Sequence, residues 1–340
     1  MLKEYLLGEQ KFSFLWAHMC ALFFIELFKK LGDEKMKKNE STTKYIIFVL
    51  LGAVSYGVLS TFVKLAYDDG FTLGQIVFSQ AGIGCLVLWL LVFLKKLTNK
   101  EYKVNFNRKD SVKLMLTGIP IGFTSIIYYK SVQEIPASMA ILLLFQFTWM
   151  GNLVECMMEK RLPSKTQVMS IALLLIGTAF SSNVFNGGLS SLTFLGIIYG
   201  LLAACSYTAF TFVSGKVALS VDPIQRSALM LTGALIFIVI LFPPTFIGDL
   251  KIVLPLLKYG VPIAFFGTVI PPLFFSIGVP VVGVGLTSIL ASIELPVATL
   301  ASTTILHERS SMIQWIGILI ILFGITFPGY IQKKLKYQVV

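Results

Sequence analysis

Apolar runs of about 20 residues, the length of a membrane-spanning helix, recur along almost the whole chain. At a rise of about 1.5 Å per residue, each run can cross the hydrocarbon core of a bilayer as an α-helix. Only 13% of the 340 residues are charged, against about 25% in a soluble domain. A transmembrane β-barrel would show alternating segments of about ten residues, which the sequence lacks. The sequence therefore predicts an all-α polytopic membrane protein.

Ten apolar segments are predicted to span the membrane. The polar loops between them are mostly short, as expected where neighbouring helices run antiparallel. The predicted spans are 45–66, 71–94, 112–131, 136–158, 166–184, 192–215, 223–247, 256–278, 282–306 and 312–331. Residues 333–340 are assigned to a polar tail.

The first 43 residues are predicted to form a leader outside this ten-helix unit. Residues 12–28 are apolar but contain His18 and Glu26, and their length barely reaches the minimum for a span. They also lack the small-residue cleavage site of a signal peptide. An interfacial helix and an extra crossing are both left open for this uncertain N-terminal helix, and a basic linker follows at 29–44.

Lysine and arginine residues concentrate in alternate loops. If residues 29–44 are cytoplasmic, most of the 28 Lys and Arg residues fall on that side, and only five face the other: Lys64, Lys130, Lys251, Lys258 and Arg309. Because cytoplasmic loops are enriched in these residues, both ends of the ten-helix unit are predicted to be cytoplasmic, in the inner or plasma membrane. The same distribution accounts for the net charge of +11 without nucleic-acid binding, because no basic stripe with interleaved aromatic residues is present.

The two halves of the unit resemble each other. A shift of 147 positions superposes three residues of one half on three of the other: Ser164, Gln167 and Gly177 on Ser311, Gln314 and Gly324. Five spans is an odd number, so the second copy enters the membrane from the opposite side. The sequence thus predicts inverted five-helix repeats at 44–186 and 187–332, which place a binding site near the midplane where broken helices meet.

A common pattern closes both copies. The second copy reads IELPVATLASTTILHERSSMIQWIGILIILFG and the first LLFQFTWMGNLVECMMEKRLPSKTQVMSIALLLIG. A span centred on Pro or an aromatic residue, a short loop with Glu, and a Gln-led span ending in Gly resemble the EamA family of the drug/metabolite transporter superfamily, over about residues 45–331. The first copy departs from the pattern, with Trp149 in place of Pro and Arg161 where the loop Glu would align. The resemblance implies a secondary transporter of small metabolites, often an exporter, and names no substrate.

Glu294 lies near the centre of the predicted ninth span, in LTSILASIELPVATLASTTILHE. An ionisable group at this depth costs about 2.5–3.5 kcal/mol on insertion scales and therefore indicates a functional site. The carboxyl group is predicted to titrate protons or to pair with an amine on the substrate. A neutral carboxyl bonded to a backbone carbonyl beside Pro296 is the structural alternative. The aligned position of the first copy is Phe147.

Polar and aromatic residues inside other spans are further candidates for substrate binding. The first and sixth spans carry matching pairs, Ser55–Tyr56 and Ser206–Tyr207. Small hydroxyl residues in membrane helices more often serve close packing, which is the alternative for the two serines. The remaining candidates are Gln80, Gln146 and Trp149. The cavity is expected to be built mainly from spans one, three, four, six, eight and nine.

Three prolines are predicted hinges. Pro271 and Pro272 remove two backbone donors in the middle of the eighth span and force a kink there. Pro296 weakens the ninth span next to Glu294. A hinge and a static kink are the two interpretations of these positions.

Other residues near span ends receive simpler interpretations. Tyr128 and Tyr129 precede Lys130 and are expected to anchor the third span at the membrane interface. Glu155 lies one turn before the end of the fourth span and is expected to pair with Lys160 or Arg161.

No enzyme or cofactor motif is present. The sequence lacks HExxH, a phosphate-binding glycine loop, GxSxG and any CxxC pair. The predicted function is export of amino acids or amines by alternating access, driven by an ion gradient or by exchange. The alternatives are an importer or exchanger of sugars or phosphorylated metabolites, and a receptor or scaffold without transport. Coupling to protons and a homodimer are left open.

Overall fold

The computed structural model describes residues 42–99, 102, 104, 107–135, 137–181, 193–305 and 311–338. The leader helix predicted at 12–28 lies outside these residues. Within the described part of the chain every regular element is a helix, in agreement with the predicted all-α class.

The helices are labelled α1 to α13 in chain order. The first half contains α1 (Thr42–Asp68), α2 (Leu73–Thr98), α3 (Arg108–Glu134), α4 (Ala137–Leu144), α5 (Phe147–Met158) and α6 (Lys165–Ser181). The second half contains α7 (Phe194–Lys216), α8 (Pro223–Leu241), α9 (Leu250–Ala264), α10 (Ile270–Val282), α11 (Val284–Ala291), α12 (Glu294–Ile305) and α13 (Met312–Gln338). A 3-10 turn at Thr245–Gly248 precedes α9, and a π-helical turn at Phe265–Val269 joins α9 to α10.

Eight helical segments of the described chain are long and apolar enough to cross a membrane. They are α1, α2, α3, the α4–α5 segment from Ala140, α7, α8, α9 to α10 taken together, and α11 to α12 taken together. The chain is therefore a multi-pass membrane protein. Two further apolar helices, Lys165–Ser181 and Met312–Phe327, are shorter. They correspond to the predicted fifth and tenth spans, so the count of ten stays a prediction.

The predicted boundaries between the seventh and eighth spans, 247 and 256, are wrong. The span predicted at 223–247 ends as a helix at Leu241. Pro243 and Pro244 follow, and proline has no backbone N–H with which to continue the helical hydrogen bonds. The chain turns there and enters α9 at Leu250.

The last helices of the two halves begin with the same hydrogen bonds. The Ser164 N–H donates to Gln167 Oε1 (2.9 Å), and the Gln167 N–H donates to Ser164 Oγ (3.2 Å). Ser311 and Gln314 form the same two bonds at 2.8 and 3.3 Å. Such a capping box satisfies two N–H groups that the start of a helix leaves without partners. The shift of 147 residues thus pairs side chains with the same structural role.

Helices from the two halves interleave. α1 packs mainly on α10, α11 and α12 of the second half, and α7 packs on α3, α4 and α5 of the first. α6 packs along α13. The core is therefore shared between the halves, and the space between them is lined by both.

The π-helical turn at Phe265–Val269 lies immediately before Pro271 and Pro272. A proline ring clashes with the carbonyl four residues earlier, so regular α-helical bonding cannot continue through this point. An extra residue in the turn relieves the clash. The Thr268 hydroxyl donates to the Gln80 carbonyl of α2 (2.9 Å). The kink predicted for the eighth span thus corresponds to a π-helical turn that ends two residues before Pro271.

Candidate functional site

Two helices are broken at equivalent positions. Residues 145–146 separate α4 from α5, and residues 292–293 separate α11 from α12, a shift of 147 positions. At each break a backbone N–H bonds to the carbonyl three residues back, which tightens the chain into a 3-10 turn. The two bonds are Thr148 N–H to Phe145 O (3.1 Å) and Leu295 N–H to Ser292 O (3.4 Å).

Pro296 does not by itself explain the second break. It is the third residue of α12, where backbone N–H groups lack helical partners in any case. The first copy has Trp149 at the aligned position and is broken at the same place. Close packing contributes instead, because a Cβ at Gly57 of α1 would lie 2.6 Å from the Glu294 carbonyl oxygen. The backbone of α1 therefore passes directly against the second break.

The two breaks contact each other inside the protein. The buried hydroxyl groups of Thr148 and Ser292 lie 3.4 Å apart. One turn further along α5, the Asn152 amide donates to the Gly285 carbonyl of α11 (3.2 Å). These bonds join the two halves where inverted repeats place their binding sites.

A cavity lies beside the second break. Its volume is ≈ 50 Å³, which corresponds to about two water molecules at roughly 30 Å³ each. Its lining comes from α1, α3, α4, α7 and α12, so span eight, which was predicted to contribute, is absent from the lining that the structure describes. The lining residues are Tyr56, Leu59, Ser60, Ile121, Thr124, Ser125, Tyr128, Tyr129, Leu144, Tyr207, Phe210 and Glu294.

Glu294 is the charged residue of this lining. It is the first residue of α12, so its side chain leaves the helix at the break. Its Oε2 atom is buried and has no hydrogen-bond partner among the described residues. None of the described lining residues is Lys, Arg or His. A carboxylate in this setting is costly unless a proton or a cation neutralises it.

Tyr56 and Tyr207, predicted as a matched pair, meet at the cavity. Their ring centroids lie 5.7 Å apart at an interplanar angle of 72°. Tyr207 also packs edge-on against Phe147, at 4.6 Å, and its hydroxyl is buried without a partner in the described residues. Phe147 aligns with Glu294, so equivalent positions present an aromatic ring in one copy and a carboxyl group in the other.

Comparison with known protein families decides the membership of the chain. Residues 43–183 and 194–328 each match the EamA-like transporter family. The chain belongs to the EamA-like transporter family. The resemblance noted in the sequence is thereby confirmed, and the members of this family are transporters rather than enzymes.

Comparison with individual proteins gives information about the fold alone. A search of curated proteins finds no match to this EamA-like chain. A solved structure described as "Crystal structure of protein" is similar with a TM-score of 0.68 at 14% sequence identity, covering 87% of this chain and 99% of that chain. At this identity the similarity concerns the arrangement of helices.

Ser55 and Ser206 of the EamA-like protein make equivalent bonds behind the cavity. The Ser55 hydroxyl donates to the Phe266 carbonyl in the π-helical turn (3.0 Å), and the Ser206 hydroxyl donates to the Pro120 carbonyl in α3 (2.9 Å). Each serine thus satisfies a carbonyl of the other half at an irregular or proline-containing turn. Neither belongs to the cavity lining, which favours the packing role over contact with substrate.

The remaining predicted residues lie away from the cavity lining. Gln80 is buried, and its Oε1 accepts a hydrogen bond from the Tyr129 hydroxyl (3.3 Å), one layer behind the cavity. The Trp149 indole donates to Gln146 Oε1 (2.9 Å), and Trp149 is 38% exposed. The structure therefore brings together three of the predicted binding residues, Tyr56, Tyr207 and Glu294.

The lining contains polar residues that the sequence did not single out for binding: Ser60, Thr124, Ser125, Tyr128 and Tyr129. Tyr128 and Tyr129 were expected at the membrane interface, but both line the cavity, and Tyr129 is only 3% exposed. The residues lie on the face of α3 that also carries Ile121 and Ser125, at the spacing of three or four residues that puts side chains on one helix face. That spacing was the available signal.

Glu155 forms hydrogen bonds between helices at the end of the molecule that carries the 159–164 loop. Its Oε1 accepts the Gly285 N–H (3.1 Å), and its Oε2 accepts from Arg161 (2.9 Å). The expected partner Arg161 is thus confirmed, and Arg161 also bonds to Glu159, which raises the pKa of its guanidinium group. Gly283 has a φ of +87°, and a Cβ there would lie 2.6 Å from Glu155 Oε1. The carboxylate therefore connects α5 to the start of α11.

A second cavity of ≈ 300 Å³ lies at the same end. It is lined by residues at the ends of α5, α7 and α10 and by the start of α11: Glu155, Met158, Glu159, Phe212, Gly215, Lys216, Val279, Pro280, Val281, Val282, Gly283 and Val284. Within the described residues, no group of three or more His, Cys, Asp and Glu side chains could hold a metal ion.

Arg226, one of the cations that the charge distribution assigns to the cytoplasmic side, is buried. It lies in the first turn of α8 and is 2% exposed. Its guanidinium group donates to the Ser276 carbonyl (2.9 Å) and to the Ser214 carbonyl in the last turn of α7 (2.6 Å). A cation is favourable at a helix C-terminus, so Arg226 joins α7 and α10.

Asp222 fixes the start of α8. Its carboxylate accepts the Ile224 N–H (3.1 Å) as an N-cap and binds Lys95 at the end of α2 (2.6 Å). Tyr102 donates to the same carboxylate, and burial, with the nearby Asp222 charge second, raises the pKa of Tyr102. The loop of the first half is thereby tied to the second half.

Proposed function

We propose that this EamA-like protein is a secondary transporter that exports small metabolites such as amino acids or amines. Cargo binds in the cavity beside Glu294. The observation that carries the proposal is that the two helix breaks meet at a cavity containing a single carboxylate without a partner among the described residues.

Ten spans in two inverted five-helix repeats are part of the proposal. Lys165–Ser181 has 17 residues, which lies at the lower limit of about 17 residues for a span. Counting this helix and α13 with the eight longer segments gives ten. The reciprocal packing of α1 and α7, and the equivalent bonds of Ser55 and Ser206, support an axis in the membrane plane.

Alternating access uses the two irregular regions as hinges. Pro271 and Pro272 follow the π-helical turn, and Pro296 lies at the second break. In the proposed cycle, the buried rings of Phe147, Phe210 and Phe275, each at most 1% exposed, close the passage between the cavity beside Glu294 and the second cavity. Rocking of the halves about the hinges opens that passage and closes the other end.

Glu294 is also the proposed proton-coupling group. Its unpartnered oxygen favours the neutral carboxyl when the site is empty, and a bound cation favours the carboxylate. Proton and cationic cargo then compete for one group. Transport of cargo in one direction is thereby linked to proton movement in the other.

Reconstitution tests the proposed function. Purified protein in proteoliposomes is expected to exchange internal unlabelled amine or amino acid for an external labelled one. Net efflux of cargo down its gradient is expected to bring in protons, which an internal pH dye reports. Glu294→Gln is expected to abolish the proton signal, because the amide cannot titrate. Absence of flux for amino acids, amines and nucleosides in folded protein would rule out this cargo class.

The predicted orientation is tested separately. Cysteines introduced at Lys44 and Gln332 are expected to react with an impermeant reagent only when the cytoplasmic face is accessible. Reaction of either position from outside intact cells would contradict the placement of both ends in the cytoplasm.

A further inference from the structure

We propose that the cavity beside Glu294 selects small protonated primary amines that carry no carboxylate. The inference rests on the proposed transport function of the same cavity and narrows its cargo. Three properties of the lining carry it: its charge, the direction of its hydrogen bonds and its size.

The charge of the lining excludes zwitterionic cargo. Glu294 supplies one carboxylate, and no described lining residue is a cation. Lys130, the cation next in sequence to the lining tyrosines, instead lies over the ring of Tyr199, with Nζ 5.7 Å from the centroid. An amino acid bound through its ammonium group would therefore hold its own carboxylate near Glu294 without a compensating cation. Burying an unpaired charge in this way is costly.

The serine and threonine hydroxyl groups of the lining donate their hydrogens to backbone carbonyl groups. Ser60 donates to Gly57 O (3.1 Å), Thr124 to Pro120 O (2.7 Å) and Ser125 to Ile121 O (3.3 Å). Each oxygen then offers its lone pairs to the cavity as an acceptor. Together with the free oxygen of Glu294, these oxygens present acceptors to the contents of the cavity, beside the Tyr207 hydroxyl, which can donate or accept. A primary ammonium group has three N–H donors and no acceptor, which matches this arrangement.

The tyrosine rings reinforce the preference for a cation. Tyr56, Tyr128 and Tyr207 line the same cavity as Glu294. The faces of aromatic rings attract ammonium groups, and the attraction grows when water is excluded. Leu59 and Leu144 leave an apolar surface for the carbon part of the cargo.

The size of the cavity favours small cargo. A volume of ≈ 50 Å³ corresponds to about two water molecules at roughly 30 Å³ each. Isobutylammonium is a small primary ammonium ion with an apolar carbon part. Tetramethylammonium has the same charge and a similar size but no N–H donor. Valine is isobutylamine with an added carboxylate. Comparison of these compounds separates the effect of charge from the effect of hydrogen-bond direction.

Binding to the full-length protein in detergent tests the inference. Labelled isobutylamine is expected to bind at neutral pH, and tetramethylammonium and valine to compete at least about tenfold more weakly, since one charge-assisted hydrogen bond alone is worth about a factor of ten. Glu294→Gln is expected to weaken amine binding by about tenfold or more, and Thr124→Val by about threefold. Glu134→Gln, an exposed carboxyl at the end of α3, is the matched control and keeps wild-type affinity.

The outcomes separate this inference from the transport proposal. Equal competition by valine overturns the charge argument, and equal competition by tetramethylammonium overturns the argument from hydrogen bonds. Failure of wild-type protein to bind isobutylamine overturns the inference altogether. Because all three readouts use wild-type protein, they hold even if Glu294→Gln fails to fold. Amine binding without flux in proteoliposomes supports the site and contradicts only the transport function.

Discussion

The two helix breaks have the same backbone geometry and different chemistry. Each break contains a 3-10 hydrogen bond from an N–H group to the carbonyl three residues back, and the two breaks lie 147 positions apart in the sequence. Around the first break the side chains are Phe145, Phe147 and Trp149, and around the second they are Ser292, Glu294 and Pro296. The shared geometry belongs to the fold, whereas the carboxyl group belongs to one copy.

This difference places the ionisable group of the two breaks in the second half of the protein. Phe147 is 1% exposed and contacts Phe145 and Tyr207, so the first break is a packed aromatic cluster. Glu294 faces a cavity with one oxygen unpartnered among the described residues. The first break therefore has a packing role, whereas the second break places an ionisable group in the cavity.

Moving the carboxyl to the first copy is expected to have the largest effect. Phe147→Glu removes aromatic packing worth about 3–5 kcal/mol when a phenyl ring is deleted from a core, and it adds a buried charge. We expect a loss of folded, monodisperse protein and a markedly lower Tm in detergent. Glu294→Phe should instead fold and lose transport. Wild-type stability of Phe147→Glu would show that the two breaks tolerate the same chemistry.

Removal of the Glu155 charge is expected to alter the closed end. Glu155→Gln weakens a charge-assisted bond worth about 1.5–3 kcal/mol, so the closed state loses about tenfold or more in population. A cysteine at Val284, which is 4% exposed and lines the second cavity, should then react faster with a thiol reagent. The native cysteines are removed beforehand. Glu159→Gln, which loses only an exposed contact with Arg161, is the control and should react as wild type.

The hydrogen bond between Thr148 and Ser292 should contribute a small but measurable free energy to stability. Thr148→Val, Ser292→Ala and the double variant form a cycle in which we expect a coupling energy of about 0.6 kcal/mol, typical of hydrogen bonds inside membrane proteins. Chemical unfolding in mixed micelles measures the free energies of the wild type and the three variants. A coupling of zero would mean that the breaks meet without stabilising each other.

Replacement of Pro296 is expected to have the smallest effect. Because the first break forms with Trp149 at the aligned position, Pro296→Ala should keep the second break and change stability by less than about 1 kcal/mol. Transport should stay within about twofold of wild type, a free-energy change of about 0.4 kcal/mol. A large loss would show that proline itself forms the hinge.

The sequence predicted the repeat more accurately than the position of the site residues. The shift of 147 residues matched Ser164 and Gln167 to Ser311 and Gln314, which form the two capping boxes, because polar residues at helix starts leave a direct pattern. The first break has neither glycine nor proline among residues 145–146, so the local sequence does not predict it. Its position depends on contacts with the other half, which sequence patterns do not show.

Two misassignments have related causes. Tyr128 and Tyr129 looked like interfacial residues because Lys130 follows them, yet both face the cavity. Arg226 looked like a loop cation because the helix begins only at Pro223, yet it is buried against two carbonyl groups. In both cases position along the chain was clear, and the direction of the side chain was decided by helices far away in sequence.

The packing of α1 on the second half has a consequence for synthesis in the cell. α1 is the first described helix to leave the ribosome, but its partners α10 to α12 lie about 200 residues later, roughly 10–40 s at usual elongation rates. During that interval its inner face, including the Ser55 hydroxyl, contacts lipid or an insertion factor, since Phe266 has not yet been made. Assembly is therefore completed only when the second half is inserted, and halves made as separate chains should reach the final structure together but not apart.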